Sequence, residues 1–210
     1  MEALYMFIGR ERELASLKEF YDKDGIGMTL IYGRRRIGKS TLIAEFVKDK
    51  KTIFYTATKV GKNRNLELFS QQVVDLMMPG MEDISFHTTE AVFDFIGKSI
   101  GSDKLVLVID ELPYWAEKDE ALLSIIQKYI DTTWKDKNLK IILCGSALSF
   151  MEKKVLSEKS PLFGRRDSQI KLEAFDYLDA AKFVPNYSNE DKAICYGITG
   201  GVAKYLSMID

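Results

Sequence analysis

Between Gly33 and Ser40 the chain reads Gly-Arg-Arg-Arg-Ile-Gly-Lys-Ser, which fits the spacing G-x-x-x-x-G-K-[ST] at every fixed position. Glycine is needed where a backbone turns tightly around an anion, so that successive N–H groups face the bound oxygens. A short apolar run, 28–32, enters this loop, and a helical pattern leaves it from Lys39. The positive end of that helix adds to the field that holds a phosphate. In such a loop Lys39 reaches the β- and γ-phosphates, and the Ser40 hydroxyl ligates Mg²⁺. The expected nucleotide-binding segment is therefore Gly33, Arg34, Arg35, Arg36, Ile37, Gly38, Lys39, Ser40 and Thr41. The three arginines fill its variable positions. Phosphate-side electrostatics and contacts to an adjoining domain or subunit are both open to them.

A loop of this kind needs a carboxylate for its metal at the C-terminal end of a neighbouring parallel strand. Asp110 ends the apolar run 105–109 and meets that need. Glu111 follows it, and a carboxylate there polarises an attacking water as general base, which points to hydrolysis rather than binding alone. The apolar run "LKIILCGS" ends at Ser146, whose hydroxyl suits a hydrogen bond to the γ-phosphate or to the water. Farther on, "FGRRD" offers Arg165 and Arg166 as guanidiniums for transition-state charge. Whether they act in their own subunit or a neighbour's is open.

These residues need elements to place them. Apolar residues at helical spacing predict helices over 11–21, 65–78, 89–100, 121–134 and 150–156, besides the one that leaves the loop. A "PGMED" turn separates the second and third of these. Strands are expected at "MTLIYG", "KTIFYTAT", "KLVLVIDE", "LKIILCGS" and "SQIKLEAF". The continuous apolar run at 105–109 suits a strand covered on both faces of a parallel sheet. Strands alternating with helices over residues 1–173 predict a doubly wound α/β core. Residues 174–210 read as short helices, the start of a helical subdomain that ends inside helical sequence, as a truncated chain would.

Composition narrows the class. The 210 residues are 46% hydrophobic and 29% charged, ordinary for a globular domain, with a net charge of -1. That balance exerts no general pull toward nucleic acid or anionic lipid. Cys144, Cys195 and His87 cannot make a metal cluster, and Cys144 lies in an apolar run that suits packing. No apolar run approaches the ~20 residues of a membrane span, and the N-terminus does not resemble a secretory signal. A cytoplasmic, reduced setting is expected.

The stretches "FIGRERELASL", "GRRRIGKST", "LVLVIDELPYW", "IILCGSALSFM", "SPLFGRR" and "TGGVAKYL" stand in the order found in archaeal-type ATPases of the STAND branch of AAA+ proteins, which the chain resembles over nearly its whole length. The resemblance implies an additional-strand P-loop sheet ordered 5-1-4-3-2, followed by a helical lid. It implies that "FIGRE", with Ile8, Gly9 and Arg10, lines the adenine side of an ATP or ADP site. It also implies a lid motif that usually carries proline where this chain has Ala203. Relatives of this kind often continue into further domains, so a partner protein or a following C-terminal domain is expected, and self-association is open.

The leading expectation is a slow, switch-like, Mg²⁺-dependent ATPase. The runner-up is a nucleotide-gated scaffold with little turnover. A GTPase is disfavoured because "TKVG" at 58–61 has glycine where the base-selecting aspartate belongs. A small-molecule kinase lacks a carboxylate at the end of the second strand. Three arginines followed by Lys48, Lys50 and Lys51 raise a nucleic-acid reading, but no recognition motif accompanies them.

Overall fold

The continuous apolar runs become the middle of a sheet and the alternating ones its edges. In the computed structural model, which describes residues 7–81 and 84–209, five parallel strands are ordered β2-β3-β4-β1-β5. They are β1 (Gly27–Tyr32), β2 (Thr52–Thr56), β3 (Leu105–Asp110), β4 (Leu139–Gly145) and β5 (Ser168–Lys171). Every residue of β1, β3 and β4 is buried, whereas β2 and β5 alternate between covered and open positions. The order is the one the family resemblance implies.

The period of two in each strand sorts the core into two faces. Leu105, Leu107 and Ile109 of β3, with Leu139, Ile141 and Leu143 of β4, pack under α3 (Lys62–Met77), α4 (Thr89–Ser99) and α6 (Leu122–Asp131). Val106, Val108, Ile142 and Cys144 face the other way, toward α1 (Glu11–Asp22) and α2 (Lys39–Val47). Asp110, two residues beyond Val108, inherits that second face, and this puts it on the side from which α2 rises.

Two expected elements differ. The sequence predicts one helix over 121–134. The structure instead has a short α5 (Leu112–Ala116) directly after Glu111, then α6 ending at Asp131. Pro113 starts α5 because a ring-fixed φ and a missing N–H cost nothing in a first turn. Past α6 the chain turns so that the buried Trp134 indole donates to Phe93 O at 3.2 Å. The expected helix 150–156 is α7 (Leu148–Phe150), continued by a π-helical turn, Met151–Val155.

After β5 come α8 (Tyr177–Ala181), α9 (Asn189–Thr199) and α10 (Ala203–Leu206). They close over a small third cluster of Phe175, Ala180 and Leu206. Gly201 makes this docking possible. Its φ is +69°, and a Cβ there would lie 2.0 Å from Phe175 O, a backbone atom that cannot step aside. Part of the expected turn at 79–83 and the first six residues of the chain lie outside the described residues.

Candidate functional site

The loop 33–38 leaves the C-terminal end of β1 and passes straight into α2, where open α/β sheets gather ligands. Gly33 sits where no side chain fits: a Cβ would lie 2.3 Å from Leu172 O, just past the end of β5. Gly38 caps α2 with no side-chain hydrogen bond, so the first N–H groups of the helix keep no partner from the cap. Lys39 is 5% exposed, and its ammonium donates to Gly33 O at 3.1 Å and Arg34 O at 3.0 Å. It spans the loop from within.

The Ser40 hydroxyl donates to Asp110 Oδ2 at 2.6 Å. The other oxygen, Oδ1, accepts the Glu111 N–H at 2.8 Å. Cys144, beside Asp110 on the next strand, is kept a neutral thiol: burial pushes it well up, and the adjoining Asp110 carboxylate adds to this. Glu111 has φ of +50°, and its carboxylate accepts from Ser146 twice, at Oγ (2.8 Å) and at N (3.2 Å). Three non-glycine residues among those described adopt positive φ: Arg10, Arg36 and Glu111. All three belong to the expected site, where backbone strain of this kind tends to be kept.

The arginines of the loop separate into different roles. Arg34 is exposed and contributes its carbonyl. Arg35 donates through Nε to Ser146 Oγ at 3.4 Å and through Nη2 to the Tyr114 hydroxyl. Arg36 turns to the C-terminal helices: its guanidinium donates to the Tyr205 hydroxyl at 3.1 Å, and its carbonyl accepts the Lys204 N–H at 3.0 Å. Tyr114 and Tyr205 were not legible as site residues, since an aromatic next to a motif usually reads as core.

Other expected residues lie elsewhere or do other work. The Arg10 guanidinium is buried in protein contacts, donating to Glu173 O (2.6 Å) and Ile37 O (3.2 Å) and lying 4.1 Å from the centre of the Phe175 ring. That leaves the backbone around half-buried Ile8 and buried Gly9 as the part that can face a base. Arg165 makes a two-pronged ion pair with Asp131 at the end of α6 (2.8 and 2.7 Å). Arg166 donates to Leu156 O at 3.2 Å. The structure does not bring either guanidinium to the loop. Thr41 is exposed at the third position of α2.

Ala203 stands at the first position of α10, where proline is well tolerated, because that N–H has no intrahelical partner. Val202 before it has φ −74° and ψ 117°, a conformation that a following proline prefers. Ala203→Pro is therefore expected to raise stability by about 0.5–1 kcal/mol by restricting the unfolded chain. A thermal melt shows it as a small rise in Tm; a fall refutes the assignment.

The hard oxygens of Ser40 and Asp110, held side by side at the foot of a phosphate loop, are the donor type that Mg²⁺ takes. Comparison with known proteins agrees with this geometry. A model of the ATPase domain predominantly from Archaea matches residues 7–209. An uncharacterized protein of Methanocaldococcus jannaschii is 32% identical over 204 residues, covering 97% of this chain and 44% of its own length. An uncharacterized ATP-binding protein of the same organism is 24% identical over 250 residues, with 97% and 69% covered. Among solved structures, a Walker-type ATPase of Pyrococcus abyssi superposes with a TM-score of 0.68 at 20% identity, covering 95% of this chain and 65% of that one. That likeness concerns the fold. The chain spans less than half of the first relative's length. Loop, carboxylates, sheet order and matched sequence converge, and the chain belongs to the ATPase domain family found predominantly in Archaea.

Proposed function

We propose that the chain binds ATP on the loop 33–41 and hydrolyses it slowly, as a nucleotide-dependent switch with residues 1–173 as core and 174–210 as the start of a lid. The observation that carries this reading is the unbroken series from Ser40 through Asp110 and Glu111 to Ser146, with every link a hydrogen bond of 3.2 Å or less. Ser40 and Asp110 would hold Mg²⁺, which when bound neutralises charge on the phosphate oxygens. Lys39 exchanges its two carbonyl partners for the β- and γ-phosphates, and the N-terminus of α2 faces the same anion. Glu111 takes the proton of the attacking water, whose oxygen bonds to the γ-phosphorus as the bond to the β–γ bridging oxygen breaks. Ile8 and Gly9 lie on the adenine side.

Ser146 holds Glu111 through Oε2 with both of its donors, so Oε1 is the oxygen that takes the proton from water. Phosphate release from ATP is expected in Mg²⁺ and expected to fall to background in EDTA. Release that is indifferent to EDTA contradicts this reading.

A further inference from the structure

We propose that Arg35 is a positioning residue for Glu111, acting through Ser146, so that Glu111 presents Oε1 to the attacking water. This rests on the reading of Glu111 as the base for ATP hydrolysis. A guanidinium can only donate, so Ser146 Oγ is an acceptor toward Arg35. The hydroxyl has one hydrogen, and it must then point the other way, to Glu111 Oε2 at 2.8 Å. Arg35, Ser146 and Glu111 thus form a chain of donors with one polarity, begun by a permanent charge.

The arrangement is built at both ends. The left-handed backbone of Glu111 sets the direction of its side chain, and the Ser146 N–H gives the carboxylate a second donor at 3.2 Å. Tyr114, on the short helix that Pro113 starts right after Glu111, accepts from the far side of the same guanidinium. Arg35 is thus held from both sides, by Ser146 and by Tyr114. Both donors from Ser146 go to the same oxygen, Oε2, which fixes the carboxylate and leaves Oε1 to take the proton from water.

The test compares wild type, Arg35→Ala, Arg35→Lys, Glu111→Gln and the double variant Arg35→Ala/Glu111→Gln. Affinity for ADP and for a non-hydrolysable ATP analogue is measured by calorimetry, and phosphate release at steady state. Arg35→Ala is expected to bind ADP and the ATP analogue within about threefold of wild type. Its kcat should fall about tenfold with KM little changed, part of the ~10²–10⁴ that a well-placed base supplies. Arg35→Lys keeps the charge without the fork and should recover only part of kcat. The double variant should be no slower than Glu111→Gln alone, because Arg35 has nothing left to position. A merely structural role would lower Tm and ADP affinity together. Turnover by wild type with an unchanged kcat in Arg35→Ala, or independent multiplying losses in the double variant, overturns this proposal alone. A wild type that binds ATP and releases no phosphate overturns the hydrolysis reading and the proposal with it.

Discussion

Glu111→Gln is expected to hold ATP and to release phosphate at a rate about 10²–10³ below wild type. The amide is nearly the same shape as the carboxylate, and its oxygen can still accept from Ser146 N and Oγ, so the local packing survives. It cannot take a proton from water. Binding should change little, since the loop and α2 that hold the phosphates contain no atom of Glu111. Nucleotide retained through gel filtration, set beside a phosphate-release assay, separates the two effects. Equal release by wild type and variant removes the hydrolysis reading and favours a scaffold that uses nucleotide without consuming it.

Lys39→Ala is expected to abolish detectable nucleotide binding, a loss of at least ~10²-fold in affinity. The ammonium has two duties on the proposed reading. It would supply the charge for the phosphates, and it ties Gly33 O to Arg34 O from a position almost closed to solvent. Removing it leaves two carbonyls without their donor, at roughly 1–3 kcal/mol for any that stay dry. Calorimetry with ATP and ADP reads the affinity, and a melt reads the stability. Nucleotide binding equal to wild type would place the ligand elsewhere on the molecule.

The sheet was legible because burial dictates composition. "LVLVI" and "IILC" are apolar at every position since both faces are covered, and they became β3 and β4 at the centre. Ser40, Asp110, Glu111 and Ser146 could be found because each stands at the end of a strand or the start of a helix, where an apolar run stops and a polar atom begins. Arg165 could not be followed to Asp131 in the same way. That pairing is set by how α6 packs beside the chain that leads to β5, which no local period encodes. Arg10 entered only through the family resemblance, and no local pattern encodes its burial, which comes from Phe175 and Glu173, far along the chain. α5 was hidden by its shortness, since five residues give too little pattern to register.

The order of the strands also governs when the molecule can exist during synthesis. β1 carries the phosphate loop, but its neighbours are β4 and β5, with Gly27 in register with Lys140 and Tyr32 in register with Lys171. Gly33 itself is seated against Leu172. A ribosome therefore releases the whole loop sequence early and the partners that shape it late, with β2, β3 and their helices emerging in between. Closing contacts between segments so distant in sequence is slow and costs chain entropy. The nascent loop is then an unfinished edge until β4 and β5 have emerged, and nucleotide becomes available to it as a folding ligand only after that point.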